Sequence, residues 1–212
     1  MKRALLITLS LFLALVGWSA VAADDGFYVI PAMRGKYAPV PKTGQTGDIW
    51  GPGCDGALKK GVAWPTPRFT DNNNGTVTDR LTGLIWMRNV NVPTPLPAMK
   101  NWQAALDAAS ALRSGSEWGY GLTDGSISGE WRLPNVRELQ SLLDYDRSPA
   151  LPLGHPFNAA TTLFGPFWSS TSRDGDGNAA WMVQFGGPAG NGSVWASPKI
   201  GYAYVWCVRD GR

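Results

Sequence analysis

Residues 131–145 constrain the fold of this chain more than any other segment, and they read Trp-Arg-Leu-Pro-Asn-Val-Arg-Glu-Leu-Gln-Ser-Leu-Leu-Asp-Tyr. The segment predicts a strand that ends at Pro134, followed by a helix over 135–144. Asn135 is a good N-cap residue, and Glu138 three positions later completes a capping box. The apolar residues that follow recur at helical spacing and are Val136, Leu139, Leu142 and Leu143. We therefore expect this helix to lie with one face on a core.

The first 23 residues have the pattern of a cleaved secretory signal. Lys2 and Arg3 precede an apolar run over 4–16, and small residues at 21–23 resemble a signal-peptidase site. The alternative is a membrane anchor. However, the run is shorter than the roughly 20 residues of a membrane-spanning helix, and no cysteine follows it to accept a lipid. We predict that residues 1–23 are a signal peptide, that the protein is secreted or periplasmic, and that it does not insert into a membrane after cleavage.

The charge of the remaining chain excludes one class of partner. Removing Lys2 and Arg3 leaves 17 of the 19 basic residues against 16 acidic ones, a formal net charge of +1. Lys59-Lys60 is the only basic doublet left, and the other basic residues are scattered. Such a balance favours a mixed, solvated surface over a groove for polyanions. We therefore expect no nucleic-acid partner.

The rest of the chain predicts one loop-rich α+β domain behind an extended lead segment. Residues 24–67 are rich in proline and glycine and form an arm, and residues 68–212 form the domain. Apolar residues at helical spacing predict a second helix near 99–113. Asn74-Gly75 is a hairpin turn signal. Short strands are predicted over 76–78, 84–87, 167–172, 179–185, 193–196 and 202–208.

The two cysteines, Cys54 and Cys207, allow a single intramolecular pairing. Export would place them where disulfides form. We expect a disulfide that ties the arm to the last strand and stabilises the fold by up to about 5 kcal/mol in the chain-entropy model. The alternatives are two buried free thiols or one reactive cysteine.

Several short motifs follow one another in an order that resembles a known family. They are Pro-Lys-Thr-Gly-Gln-Thr at 41–46, Arg-Phe-Thr-Asp at 68–71, Gly-Thr-Val-Thr-Asp at 75–79, Thr-Gly-Leu-Ile-Trp at 82–86, Trp-Arg-Leu-Pro at 131–134, Trp-Ser-Ser-Thr at 168–171 and residues 205–209. Together, from about residue 39 to the end, they resemble the Lcl C-terminal domain family, found in exported bacterial proteins and collagen-like adhesins.

That resemblance implies a C-type-lectin-like fold, with two helices flanking small antiparallel sheets and the chain ends meeting. Sugar-binding lectins, variable receptor-like bacterial proteins and sulfatase-modifying enzymes share this fold, so it does not choose a function. Collagen-like adhesins with this domain look like binders of sulfated polysaccharides. The calcium-dependent lectins carry Glu-Pro-Asn or Gln-Pro-Asp and then Trp-Asn-Asp, and none of these triplets occurs here.

No pattern of reactive side chains indicates an enzyme. The hydroxyls at 169–172 lack a nucleophile-elbow sequence, and His155 lies in a Gly-His-Pro turn. Glu138 is assigned to the helix cap, and nothing places Glu130 and Asp144 together as an acid pair. We predict hydroxyls that are paired inside a sheet, no catalytic residues and no cofactor.

The turn at 174–178, Asp-Gly-Asp-Gly-Asn, has oxygen-bearing side chains at alternate positions, as calcium loops do. Ala179 and Phe185 stand where an EF-hand needs glycine and an acid, so it is not an EF-hand. An ordinary solvated turn explains these residues. The alternative is a weak calcium site on Asp174, Asp176 and Asn178.

Aromatic residues divide into core and loop candidates. Six tryptophans in strand or helix patterns are expected in the core, namely Trp86, Trp102, Trp131, Trp168, Trp181 and Trp206. Others lie beside glycines in predicted loops, where rings stack on sugars or anchor proteins. The predicted ligand-binding residues, on loops 115–128 and 173–195, are Trp118, Tyr120, Arg173, Asp174, Asp176, Asn178 and Trp195. The sequence thus predicts a binding or adhesion module for a glycan or protein on a surface; the alternative is a structural subunit of an exported assembly without a small ligand.

Overall fold

A computed structural model describes residues 40–47, 51–90, 99–116, 121–158, 165–187 and 192–211. The predicted signal peptide and the predicted ligand residues Trp118 and Tyr120 lie outside these ranges. The helices are α1 (Asp55–Leu58), α2 (Trp102–Ala111) and α3 (Val136–Ser141). The strands are β1 (Phe69–Asp71), β2 (Thr76–Asp79), β3 (Ile85–Met87), β4 (Phe167–Arg173), β5 (Asp176–Gln184), β6 (Ser193–Pro198) and β7 (Val208–Arg209). The class is α+β, and none of the described helices is long and apolar enough to cross a membrane.

The two predicted helices are present, and each begins at an asparagine N-cap. The side chain of Asn101 accepts from the amide of Ala104 at the start of α2. At α3, Asn135 and Glu138 form the reciprocal capping box, which confirms the cap predicted from residues 131–145. The strand predicted to end at Pro134 is present only as an isolated bridge between Arg132 and Val208. The single turn α1, in the arm, was not predicted.

Antiparallel strands form two sheets, one with the order β1-β2-β3-β7 and one with the order β4-β5-β6. The predicted hairpin turn joins β1 to β2, where Gly75 has φ +85°. The end of the chain pairs with the middle, since Val208 of β7 lies opposite Trp86 of β3. The predicted strand over 202–208 is broken because Ala203 bridges Lys100 while Tyr204 bridges Phe167. This segment links the two sheets and cannot follow one partner throughout.

An aromatic cluster joins the sheets. Trp86, Trp131, Trp168 and Trp206 are at most 1% exposed, which confirms four of the six predicted core tryptophans. The ring of Trp206 lies 5.3 Å from that of Trp86 and 5.7 Å from that of Phe167 between centroids. Trp102 and Trp181 are only half-buried. Burying the large rings is the main source of stability here.

Residues 131–138 and 168–171, here called the motif pair, hold each other by backbone and hydroxyl hydrogen bonds. The amide of Val136 donates to Thr171 Oγ1 at 3.1 Å, and the amide of Ser170 donates to the carbonyl of Pro134 at 2.8 Å. Ser169 Oγ donates to the carbonyl of Trp181. The predicted pairing of these hydroxyls is therefore confirmed.

Arg132 extends the motif pair to the end of the chain. Its guanidinium donates to both carboxylate oxygens of Glu138 at 2.8 Å and to Asp210 at 2.8 Å. These hydrogen bonds raise the pKa of Arg132 above its usual value, and the bond to Glu138 has the largest effect. Glu138 therefore caps α3 and anchors Arg132 at once.

The expected disulfide is wrong, because Cys54 and Cys207 are both free. Cys207 is fully buried among the core residues, and burial raises the pKa of its thiol to about 12. Cys54 is the N-cap residue of α1, with its Sγ 3.9 Å from the carbonyl of Gly47 within the arm. The arm attaches to the domain through other residues, among them Thr43 and Thr46, and its cysteine stays away from the core.

Candidate functional site

A cleft of about 650 Å³ opens between the arm and the loop that follows α3. One wall is formed by residues between Lys42 and Phe69, most of them in the arm, and the other by Asp144, Arg147 and residues 152–154. Its volume lies within the range of ligand pockets, about 300–1,000 Å³. In the described part of the chain, this cleft is the best candidate site because it offers room for a ligand, an aromatic ring and cations that form no ion pair.

The two walls are fastened to each other at three neighbouring arm positions. The amide of Tyr145 donates to the carbonyl of Thr43 at 2.9 Å, and Thr46 Oγ1 donates to Asp146 Oδ2 at 2.6 Å. Between them, Gly44 has φ +91°, and a Cβ there would lie 2.3 Å from Asp144 Oδ1. Only glycine permits this close approach.

Two carboxylates shape the loop wall. Asp144 is only 4% exposed; its Oδ1 accepts from the amide of Asp146, and its Oδ2 pairs with Arg147 Nε at 3.3 Å. The hydrogen bonds from Thr46, with smaller contributions from Arg147 and Lys59, lower the pKa of Asp146 below its usual value. Asp144 and Asp146 thus stabilise the loop through contacts within it, and Asp146 also joins the loop to the arm.

A buried arginine holds the deep end of the arm. Arg68 donates from Nε and Nη2 to the two oxygens of Asp79, at 3.2 and 3.1 Å, and its side chain is 4% exposed. Nη2 also donates to the carbonyl of Ser141 at the end of α3. Because it is paired with Asp79, Arg68 serves as a structural tie and not as a free cation, although its Nη1 has no hydrogen-bond partner among the described residues.

Trp64 presents an ordered ring to the cleft. Its ring centroid lies 4.7 Å from the guanidinium carbon of Arg68, and its Nε1 donates to the carbonyl of Lys42 at 3.1 Å. A ring fixed in this way is preorganised for contact with the apolar face of a ligand.

Three further cations line the same cleft as that ring. Lys42 and Lys59 line the cleft and form no ion pair within the described ranges. Arg147 pairs with Asp144, but its side chain stays 43% exposed. The arrangement can therefore hold a polar ligand that carries negative groups and offers an apolar face.

The residues predicted from the sequence as ligand contacts lie elsewhere. Arg173 and Asp176 face each other at the end of the β4–β5 hairpin, with Asp174 in its turn. Asp176 Oδ1 accepts from the amide of Asn178, as a turn residue does. The described residues contain no group of three or more His, Cys, Asp or Glu that could hold a metal ion. The alternative of a weak calcium site at this turn stays untested.

Trp195 is half-buried on β6, opposite Met182, and packs against the core. The loop that begins at Gly121 is anchored at the other sheet, since the amide of Thr123 donates to the carbonyl of Asn74. The hairpin end is anchored at Lys199, whose Nζ donates to Ser172 Oγ at 2.7 Å. Where the structure describes both loops, no hydrogen bond or ion pair joins them.

Sequence reasoning missed the cleft because its side chains come from separated segments. Lys42, Lys59 and Trp64 lie in the arm, whereas Arg147 and Leu153 follow α3. Two signals were available, namely the basic doublet at 59–60 and a large aromatic residue inside a proline-rich arm. Neither signal locates the opposite wall.

Comparison with known families identifies the family of this chain. The model of the Lcl C-terminal domain matches residues 75–209, more than half of the chain, so the chain belongs to that family. No curated protein matches the sequence significantly. The loop wall of the cleft falls inside the matched range, and the arm wall precedes it.

Proposed function

We propose that this member of the Lcl C-terminal domain family is an exported binding module that holds a glycan in the cleft between its arm and the loop after α3. The single observation that carries the proposal is the fixed ring of Trp64 in a cleft of about 650 Å³. Sugar rings have apolar faces that pack on aromatic rings, while their hydroxyls need polar neighbours. The signal-like first 23 residues support export.

The charges favour a glycan with acidic groups. Lys42 and Lys59 have no ion pair among the described residues, and Arg147 is partly exposed. A carboxylate or sulfate entering the cleft gains charge-assisted hydrogen bonds without breaking the structural pairs. The nearly neutral chain as a whole supplies little long-range attraction, so this preference is local.

We also propose that the architecture is C-type-lectin-like. Two small antiparallel sheets, the helices α2 and α3, and the pairing of β7 with β3 support this assignment. The proposed site does not use calcium, since the negative groups of the ligand bind to lysine and arginine side chains.

The proposal is tested by glycan-array screening of the mature chain, followed by calorimetry with oligogalacturonates, sulfated oligosaccharides and neutral cello-oligosaccharides. We expect acidic glycans to bind and the double variant Lys42→Ala/Lys59→Ala to bind them at least ten-fold more weakly. A matched control is Arg113→Ala/Arg137→Ala, which removes two exposed cations outside the cleft.

Equal losses in the two double variants would place the site elsewhere. If no glycan binds at all, the structural-subunit alternative is favoured.

A further inference from the structure

A second pocket adjoins the cleft. It has a volume of about 330 Å³ and runs along residues 146–149 and 151–155. Four residues line both cavities, namely Arg147, Pro152, Leu153 and Gly154. One rim therefore separates two cavities that are each large enough to hold part of a ligand.

The shared rim carries an exposed apolar side chain and a cation that a ligand could contact. Leu153 is 81% exposed, which leaves a large apolar side chain in water between the two cavities. Beside it, the guanidinium of Arg147 is partly exposed and is held in place by Asp144. A ligand that crosses the rim covers the side chain of Leu153 and contacts Arg147. Two separate ligands, one in each cavity, could not both make these contacts.

The second pocket differs from the cleft in its chemistry. Asp146, Ser148 and His155 line it. Burial lowers the pKa of His155, so the imidazole is neutral at pH 7, and its ring stacks on Phe157 at 5.6 Å between centroids. These groups offer hydrogen-bond acceptors and donors to hydroxyls, and the one Lys or Arg among the residues that line the pocket is Arg147, which pairs with Asp144.

We propose that the cleft and the second pocket are two subsites of one groove, so that the preferred ligand is an oligosaccharide whose chain crosses the rim at Leu153. The inference rests on the proposed function and adds a requirement for chain length. A ligand confined to the cleft makes only the contacts to Trp64 and the lysines. A longer chain adds contacts to Leu153 and the second pocket without paying the full entropy of a separate binding event.

The test compares digalacturonate and tetragalacturonate, titrated calorimetrically into the mature chain. The wild type should bind the longer probe at least ten-fold more tightly. Ser148→Trp fills the second pocket from an exposed position that does not line the cleft. This variant should bind the tetramer about as weakly as the dimer and the dimer as the wild type does.

Ser110→Trp, which adds the same bulk at an exposed position outside both cavities, is the control and should keep the ten-fold preference. If Ser148→Trp fails to fold, Ser148→Arg fills the pocket with a flexible side chain and should give the same result. Equal affinity of the wild type for both lengths, or an equal loss of both lengths in a folded Ser148 variant, would overturn the two-subsite groove. No binding of either length to the wild type would instead overturn the proposed function, and the groove with it.

Discussion

The motif pair and the cleft differ in how their polar side chains are used. In the motif pair, Thr171 accepts from Val136, and Glu138 bonds both the start of α3 and Arg132. In the cleft, Lys42 and Lys59 have no ion pair among the described residues. The Trp-Arg-Leu-Pro and Trp-Ser-Ser-Thr motifs thus use their hydrogen bonds to stabilise the fold, whereas the arm carries cations that can still bind a ligand. One part of the family pattern therefore serves the fold, while Lys42 of the motif at 41–46 lines the cleft.

The largest expected effect compares two tryptophans. Trp168→Ala should lower the free energy of unfolding by about 3–5 kcal/mol, because it leaves a cavity at a fully buried ring. Trp64→Ala, at a half-buried ring of the arm, should cost much less stability and should abolish glycan binding. Urea denaturation measures the first quantity and calorimetry the second. Equal destabilisation by the two changes would break the distinction between core and cleft.

The next effect concerns the fastening of the arm. Gly44→Ala should cost about 1–3 kcal/mol locally, because its Cβ would collide with Asp144. Hydrogen exchange should then show faster exchange at the amide of Tyr145, which is bonded to the arm. Gly125→Ala is the matched control, since Gly125 also has a positive φ, +75°, but nothing lies within 4 Å of its added Cβ. If both variants behave alike, backbone strain alone explains the result and the contact with Asp144 is unimportant.

A smaller effect tests the motif pair. Thr171→Val keeps the shape of the side chain but leaves the amide of Val136 without its acceptor. The expected cost is about 1–2 kcal/mol in the free energy of unfolding, with glycan affinity unchanged. Thr70→Val, at an exposed position of β1, makes the same substitution and should be nearly neutral. A loss of affinity in a stable Thr171→Val variant would show that the motif pair contributes to binding.

Local patterns predicted the part of the fold that local physics determines. The capping box joins Asn135 to Glu138, only three positions further along the chain. The burial of Trp131 and Trp168 follows from the presence of large rings in strand patterns. The cysteines show the limit of such reasoning. Two cysteines allow a single pairing, but their number does not show whether they lie close together. In the structure, Cys54 lies in the arm, away from the core, and both cysteines are free.

The cleft could not be predicted for a related reason. The fit of Gly44 against Asp144 and the position of Trp64 over Arg68 join residues far apart in the chain. Gly44 and Arg68 lie in the family motifs at 41–46 and 68–71, but a local pattern does not show which distant residue each of them contacts. The loops that the sequence did favour for binding, at 115–128 and 173–195, stay untested predictions.

The smallest expected effect is a pH dependence that belongs to the cleft loop. His155 is the only histidine of the chain, and burial lowers its pKa below the ordinary value in the folded protein. The unfolded chain therefore takes up the proton first as the pH falls, so stability should decline from about pH 7 downward, through the pKa of the unfolded state and toward the lower pKa of the folded state. The groups that share its pocket, Asp146 and Arg147, carry opposite charges and largely offset each other. Thermal midpoints measured between pH 7.5 and 5.5 should fall more steeply in the wild type than in His155→Asn, because only the wild type carries this titration. If both proteins show the same slope, the imidazole is solvated, and the loop wall is more open at Phe157 than the stacked ring indicates.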